Sequence, residues 1–128
     1  MKQDPVSVAR AAYDAYVRKD RAAMEAIVAE DYRFTSPIDN ALDRATYFDL
    51  CWPNSEQMTG VGIIYAAADG ERAFVVYEVQ TTGKRFRNCE LHTVRNGKLV
   101  STEVYFGWDL PHKAAFGHHI DNDGGGHA

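Results

Sequence analysis

Asn88, Glu90 and His92 recur at every second position in the stretch Phe86-Arg87-Asn88-Cys89-Glu90-Leu91-His92-Thr93-Val94. In a β-strand that spacing puts all three side chains on one face, with Glu90 and His92 about 6.6 Å apart along the chain. A carboxylate beside an imidazole is a pair suited to general acid–base work near neutral pH. Burial should raise the Glu90 pKa, and a protonated His92 nearby should lower it again. The rest of that face, Phe86 and Val94, is apolar, and polar groups set among such neighbours are costly unless hydrogen-bonded or used. The plainer alternative is a buried polar network that only specifies the fold.

Which residues share this face depends on the turns that flank the strand. Arg95-Asn96-Gly97-Lys98 fits either a two-residue Asn-Gly turn or a three-residue turn with a glycine bulge. The first option sets Glu90 across from Glu103, a like-charge pair that destabilises a sheet. The bulged option sets Glu90 across from Thr102, and we adopt it. One face then reads Phe86, Asn88, Glu90, His92 and Val94 with Val100, Thr102, Val104, Phe106 and Trp108, and Arg87 reaches Glu103 on the other face. Similar X-X-Gly turns at Thr81-Thr82-Gly83 and Ala68-Asp69-Gly70 carry the parity back. They place Phe74 and Val76 inside, and Val75, Tyr77 and Val79 outside. Val61, Ile63, Val75, Tyr77, Val79, Cys89, Leu91 and Tyr105 would then form an outer apolar patch too large to leave in water, which predicts a two-fold homodimer.

The elements that must hold this strand are legible from caps and periodicity. Asp4-Pro5 reads as an N-cap followed by proline in the first helical turn. Val6, Ala9, Tyr13, Tyr16 and Val17 then follow helical spacing. Asp20 caps a second helix bearing Met24, Ile27 and Val28, and Asp43 a third bearing Tyr47, Phe48, Cys51 and Trp52 that must end near Pro53. Between them Tyr32–Ser36 alternates as a short strand, and Ile38 to Leu42 reads as a polar loop. Four strands follow as a meander, roughly Gln57–Ala67, Glu71–Gln80, Lys84–Val94 and Lys98–Trp108. Helices first and a long antiparallel sheet after them predict an α+β fold with the helices on one sheet face. A strongly curved sheet of this kind leaves a conical cavity, which Asn88, Glu90, His92 and Thr102 would line with Val104 and Phe106.

Composition narrows the function classes. The 128 residues make one domain, with 18 acidic against 14 basic side chains and a net charge of −4. There is no basic stripe, so nucleic acid is not an expected partner. No apolar run is long enough to cross a membrane, and Met1-Lys2-Gln3-Asp4-Pro5 lacks the apolar stretch of a signal peptide. Two cysteines, Cys51 and Cys89, give no disulfide framework and fit a cytoplasmic setting. His118, His119 and His127 lie among glycines with nothing to hold tetrahedral geometry, so no metal site is expected.

Four strings carry a family resemblance: Ala12-Tyr13-Asp14-Ala15-Tyr16, Ala29-Glu30-Asp31-Tyr32-Arg33-Phe34, Asn96-Gly97-Lys98-Leu99-Val100 and Val104-Tyr105-Phe106-Gly107-Trp108. In these and in element order the chain resembles the nuclear transport factor 2-like superfamily, in particular its SnoaL-like and ketosteroid-isomerase-like branches. The resemblance implies a cystatin-like cone over residues 5–117, often paired through the outer sheet face, while the glycine-rich composition of residues 118–128 reads as a flexible tail. It implies cofactor-independent isomerase, cyclase or dehydratase chemistry on a mostly apolar or amphipathic small molecule. The alternative is a non-catalytic ligand-binding or dimeric interaction domain. Counted from the Gly-Lys turn, the isomerase oxyanion-hole acid falls near Glu90, its tyrosine on Ala12 beside Tyr13 and Tyr16, and its general base on Ser36. Serine cannot act as that base. His92 is the first substitute, and Asp39, after Pro37, could reach the cavity mouth as another. Tyr13, Tyr16, Trp52 and Trp108 complete the expected pocket.

Overall fold

A computed structural model describes residues 4–121. Helix α1 spans Pro5–Arg18, α2 Arg21–Ile27 and α3 Arg44–Leu50, and a 3-10 turn follows at Trp52–Gln57. The strands are β1 Val28–Ser36, β2 Asp39–Leu42, β3 Met58–Asp69, β4 Arg72–Thr81, β5 Arg85–Arg95 and β6 Lys98–Leu110. All three helix starts use the aspartate that the sequence marks. Asp4 accepts from the Ser7 amide at 3.3 Å, Asp20 from Ala23 at 3.1 Å and Asp43 from Thr46 at 2.9 Å. Each bond satisfies a backbone donor that a helix otherwise leaves unpaired.

The strands form one curved, unclosed sheet in the order β2-β1-β6-β5-β4-β3. Neighbours are antiparallel except β1 and β6, which run parallel. This is the α+β cone expected from the element order. Ile38–Leu42 departs from the loop reading: Pro37 and Ile38 make a tight turn, Ser36 pairs with Asp39, and β2 continues as an edge strand. Helix α1 crosses β3, β4 and β5, while α2 and α3 cover β1. Two apolar clusters result. Val8, Ala12, Met24, Tyr32, Phe48 and Leu99 belong to one, and Ala9 and Tyr13 with Val75, Tyr77 and Val79 form the other.

The register answers the turn question differently from either option. Asn96 and Gly97 both take positive φ, 55° and 77°, in a two-residue turn that pairs Arg95 with Lys98. Val100 then bulges out of β6, so Val94 faces Leu99 while Thr93 faces Ser101. Glu90 therefore stands opposite Val104, and His92 opposite Thr102. The bulge sits after the turn rather than inside it. Glu90 still avoids Glu103, and Thr102, Val104 and Phe106 still share its face, but Leu99 points inward in place of Val100.

Turn length overturns the parity expected for β4. Thr82-Gly83 is a two-residue turn, and it sets Val75 opposite Glu90, Tyr77 opposite Asn88 and Val79 opposite Phe86. Val75, Tyr77 and Val79 are thus buried under α1, and Phe74 is exposed on the outer face. Val61 and Ile63 pair with Val79 and Tyr77 and join them inside. Five of the eight residues assigned to the outer patch therefore belong to the core. Arg87 pairs across the strands with Glu78 rather than with Glu103.

Candidate functional site

Alternation along β5 delivers Asn88, Glu90 and His92 to the inner face, and α1 lays Tyr13 across them. Three atoms close a triangle. Tyr13 Oη lies 2.9 Å from Glu90 Oε1 and 2.8 Å from His92 Nε2, and His92 Nε2 lies 3.0 Å from the same carboxylate oxygen. Tyr77, brought inward by the β4–β5 turn, donates to Glu90 Oε2. The Asn88 amide donates to Tyr77 Oη at 3.4 Å and its carbonyl accepts the Gly107 amide at 3.2 Å. His92 Nδ1 meets Thr102 Oγ1 at 3.0 Å.

Proton accounting assigns the donors. A bare Nε2 would face the carboxylate lone pair to lone pair, so Nε2 carries the proton and donates into the triangle. Tyr13, Tyr77 and His92 all then serve one carboxylate. Burial alone would raise the Glu90 pKa, but the hydrogen bond and charge of His92, with the two phenols, hold it below the ordinary carboxylate value. Burial, reinforced by the Glu90 charge, pushes the Tyr13 and Tyr77 phenols far above their usual range. His92 is 2 % exposed with both ring nitrogens engaged. The pair that the sequence singles out is thus a closed network.

That network forms part of the wall of a cavity of about 600 Å³. Phe34, Phe86, Val104 and Phe106 supply apolar wall, and Ile38 and Trp108 are exposed at the rim. Of the residues the sequence singled out, Tyr13, Tyr16, Asn88, Thr102, Val104, Phe106, Trp108 and Asp39 line the cavity. Trp52 does not. It is buried in the core, edge-on to Tyr16 at 4.7 Å between ring centroids, because the 3-10 turn after α3 swings it inward.

A second polar cluster also lines the cavity, and the Tyr16–Tyr47 pair lines it separately. Tyr32, Phe34 and Ser36 share the inner face of β1, and Ser36 Oγ donates to Asp39 Oδ2 at 2.7 Å while accepting the Ile38 amide at 3.1 Å. Tyr16 Oη and Tyr47 Oη share one hydrogen bond. Two hydroxyls joined by one bond leave one proton unspent. Burial keeps the Tyr16, Tyr32 and Tyr47 phenols protonated by raising their pKa values. Between α3 and this cluster, burial and the Asp39 charge push the Cys51 thiol up to about 11, so it is not a ready thiolate. Among the phenols that line the cavity, Tyr32 and Tyr77 are missing from the sequence-derived set, and Tyr77 was hidden by the turn.

Among the described residues no three His, Cys, Asp or Glu side chains gather as a metal site, and His127 lies outside those residues. No helix among them is long and apolar enough to cross a membrane.

A family model for the SnoaL-like domain matches residues 9–102. The chain belongs to that family. The family sits within the nuclear transport factor 2-like superfamily, and solved structures agree on the fold. An NTF2-like protein of unknown function from Cytophaga hutchinsonii superposes with a TM-score of 0.69 at 17% identity, covering 84% of this chain and 93% of that one. An LEH-like epoxide hydrolase from M. tuberculosis gives 0.67 at 18%, covering 80% and 82%. IdmH from Streptomyces antibioticus, a proposed polyketide cyclase, gives 0.64 at 17%, covering 80% and 91%. No curated protein matches the chain by sequence. At these identities the likeness concerns the SnoaL-like fold alone.

Proposed function

We propose that this SnoaL-like domain binds a mostly apolar or amphipathic small molecule in its cone. There it carries out cofactor-independent acid–base chemistry of the isomerase, cyclase or dehydratase type. The observation that carries this reading is the unequal satisfaction of the polar groups that line one largely apolar cavity. Glu90 and His92 are engaged by protein groups, so neither offers a ligand a free base. Asp39 has Oδ2 fixed by Ser36 and Oδ1 without a hydrogen bond among the described residues, and the Tyr16–Tyr47 pair keeps a proton to give. A carboxylate base and a phenol donor lining one cavity suit proton abstraction beside a carbonyl. The Asp39 carboxylate takes the proton from carbon, and the electron pair moves onto the carbonyl oxygen, which accepts the spare phenol proton as a hydrogen bond. The carboxylic acid then returns the proton to another carbon. Glu90 and His92 hold Tyr13 and Tyr77 in place and shape the floor.

The test is solvent-deuterium incorporation into a panel of bicyclic ketones such as 2-tetralone, together with mass analysis of any co-purified ligand. Asp39→Asn should lower exchange at least a hundredfold without weakening binding, and Tyr16→Phe should lower it about tenfold. Wild-type protein that binds the ketones with no exchange above buffer would reverse the catalytic assignment. The closed Glu90 network favours a second reading, a non-catalytic ligand-binding domain, and that outcome would select it.

The same reading includes a homodimer through the outer sheet face. Its support is the outward-facing apolar row made by Tyr65, Val76, Cys89 and Tyr105 on consecutive strands, with Tyr65, Tyr105 and the adjacent Phe74 exposed. Sedimentation at micromolar concentration should give twice the chain mass, and Tyr105→Glu should halve it. A monomeric wild type removes the dimer. The unbridged Cys51 and Cys89 support a cytoplasmic setting.

A further inference from the structure

Strand β6 ends at the cavity mouth, where Phe106, Trp108 and Asp109 line the wall. The chain that leaves it, residues 111–121, forms no regular element. Its first residues are tethered to the rim: the His112 ring lies 6.1 Å from the Trp108 ring, and His112 Nδ1 accepts the Ala114 amide at 2.9 Å. Beyond that tether Phe116 is wholly exposed, and Ile120 is half exposed. The rim is likewise apolar and uncovered, with Ile38 82% exposed, Phe106 56% and Trp108 54%. Large apolar groups left in water on two surfaces of one molecule are stabilised by meeting. The four residues after His112, ending at Phe116, can span about 13 Å, far enough to lay the ring over the rim.

The geometry points to residues 112–121 as a strap that closes over the cavity mouth when a ligand fills it, with Phe116 seated between Ile38 and Trp108. This inference rests on the small-molecule reading of the cavity and adds the means by which the ligand is retained. The His112–Trp108 contact serves as the hinge-side anchor, so only the segment beyond His112 needs to move. With a ligand inside, the rim and ligand together bury the ring. Closure of this kind slows dissociation more than association, because the strap must open before the ligand leaves.

The probe is 1-anilinonaphthalene-8-sulfonate, added to the full chain. Shifts of the Tyr16 and Tyr47 ring signals in nuclear magnetic resonance spectra report whether the probe occupies the cone. Stopped-flow dilution then measures its release from wild type and from Phe116→Ser, a change at an exposed position that leaves the core untouched. The strap predicts release several-fold faster in the variant, and slower hydrogen exchange of residues 113–121 in wild type once the probe binds. Equal release rates with Tyr16 and Tyr47 shifted overturn the strap and leave the pocket standing. Unshifted tyrosine signals overturn the pocket and the strap together. A Phe116→Ser effect that grows with protein concentration assigns the ring to a second copy and overturns closure within one chain.

Discussion

The two polar clusters on the cavity wall contain similar groups and are bonded in opposite ways. Around Glu90, three donors converge on one carboxylate, and two of them are themselves held, Tyr77 by Asn88 and His92 by Thr102. Around Asp39, one side-chain donor serves one carboxylate, and elsewhere in the cavity the Tyr16–Tyr47 pair has more protons than partners. A saturated network has its optimum without a ligand, so its contribution is to rigidity and shape. An unsaturated one keeps bonding capacity for water or a ligand. On the proposed function, Glu90 is then the structural acid and Asp39, at the mouth, the one that meets substrate.

The largest expected effect follows from breaking the saturated cluster. Glu90→Gln replaces an acceptor oxygen with an amide that must point a donor at Tyr77 or at the Tyr13–His92 pair. It should cost about 2–4 kcal/mol in urea unfolding, because buried donors lose their partner. The pH dependence has a definite sign. Because the folded-state pKa of Glu90 lies below its unfolded value, its contribution is fully present above the unfolded carboxylate pKa. It is lost as pH falls through the lower folded value. Wild-type stability should therefore fall on acidification below about pH 4, and the Glu90→Gln variant should show a shallower fall. A parallel fall in both proteins would deny Glu90 its role as the ionised hub.

A smaller effect is expected from the support of that network. A Cβ at Gly107 would run into the Arg87 carbonyl oxygen, and the Gly107 amide holds the Asn88 side chain. Gly107→Ala should cost about 1–3 kcal/mol through the displaced strand. It should also move the Tyr77 ring resonances before those of Tyr16. The reverse order of shifts would mean that the two clusters are not separately supported.

The smallest effect is at the unsaturated cluster. Asp39→Asn keeps an oxygen for the Ser36 hydroxyl and should change stability by less than about 0.5 kcal/mol, as surface-side substitutions do. A loss as large as that of Glu90→Gln would erase the contrast and make Asp39 a structural residue too.

Much of this arrangement is local in origin and legible from the chain. Asp4, Asp20 and Asp43 cap helices because a short carboxylate at the first turn meets free amides wherever the helix sits. Asn88, Glu90 and His92 share a face because the period of a strand is two in any fold, and a like-charge pair at Glu90 and Glu103 is disfavoured by Coulomb's law alone. What only the tertiary structure decided is the side to which the neighbouring strand turned. Thr82-Gly83 and Asn96-Gly97 permit two-residue turns or longer bulged ones at nearly equal local cost. A one-residue difference sends every side chain of the next strand to the opposite face. The choice is made by what the helices cover. With Val75, Tyr77 and Val79 inward, α1 buries an apolar face and Glu90 gains a phenol. Packing across the whole sheet thus selected the turn, and with it the difference between an open acid–base pair and a closed one.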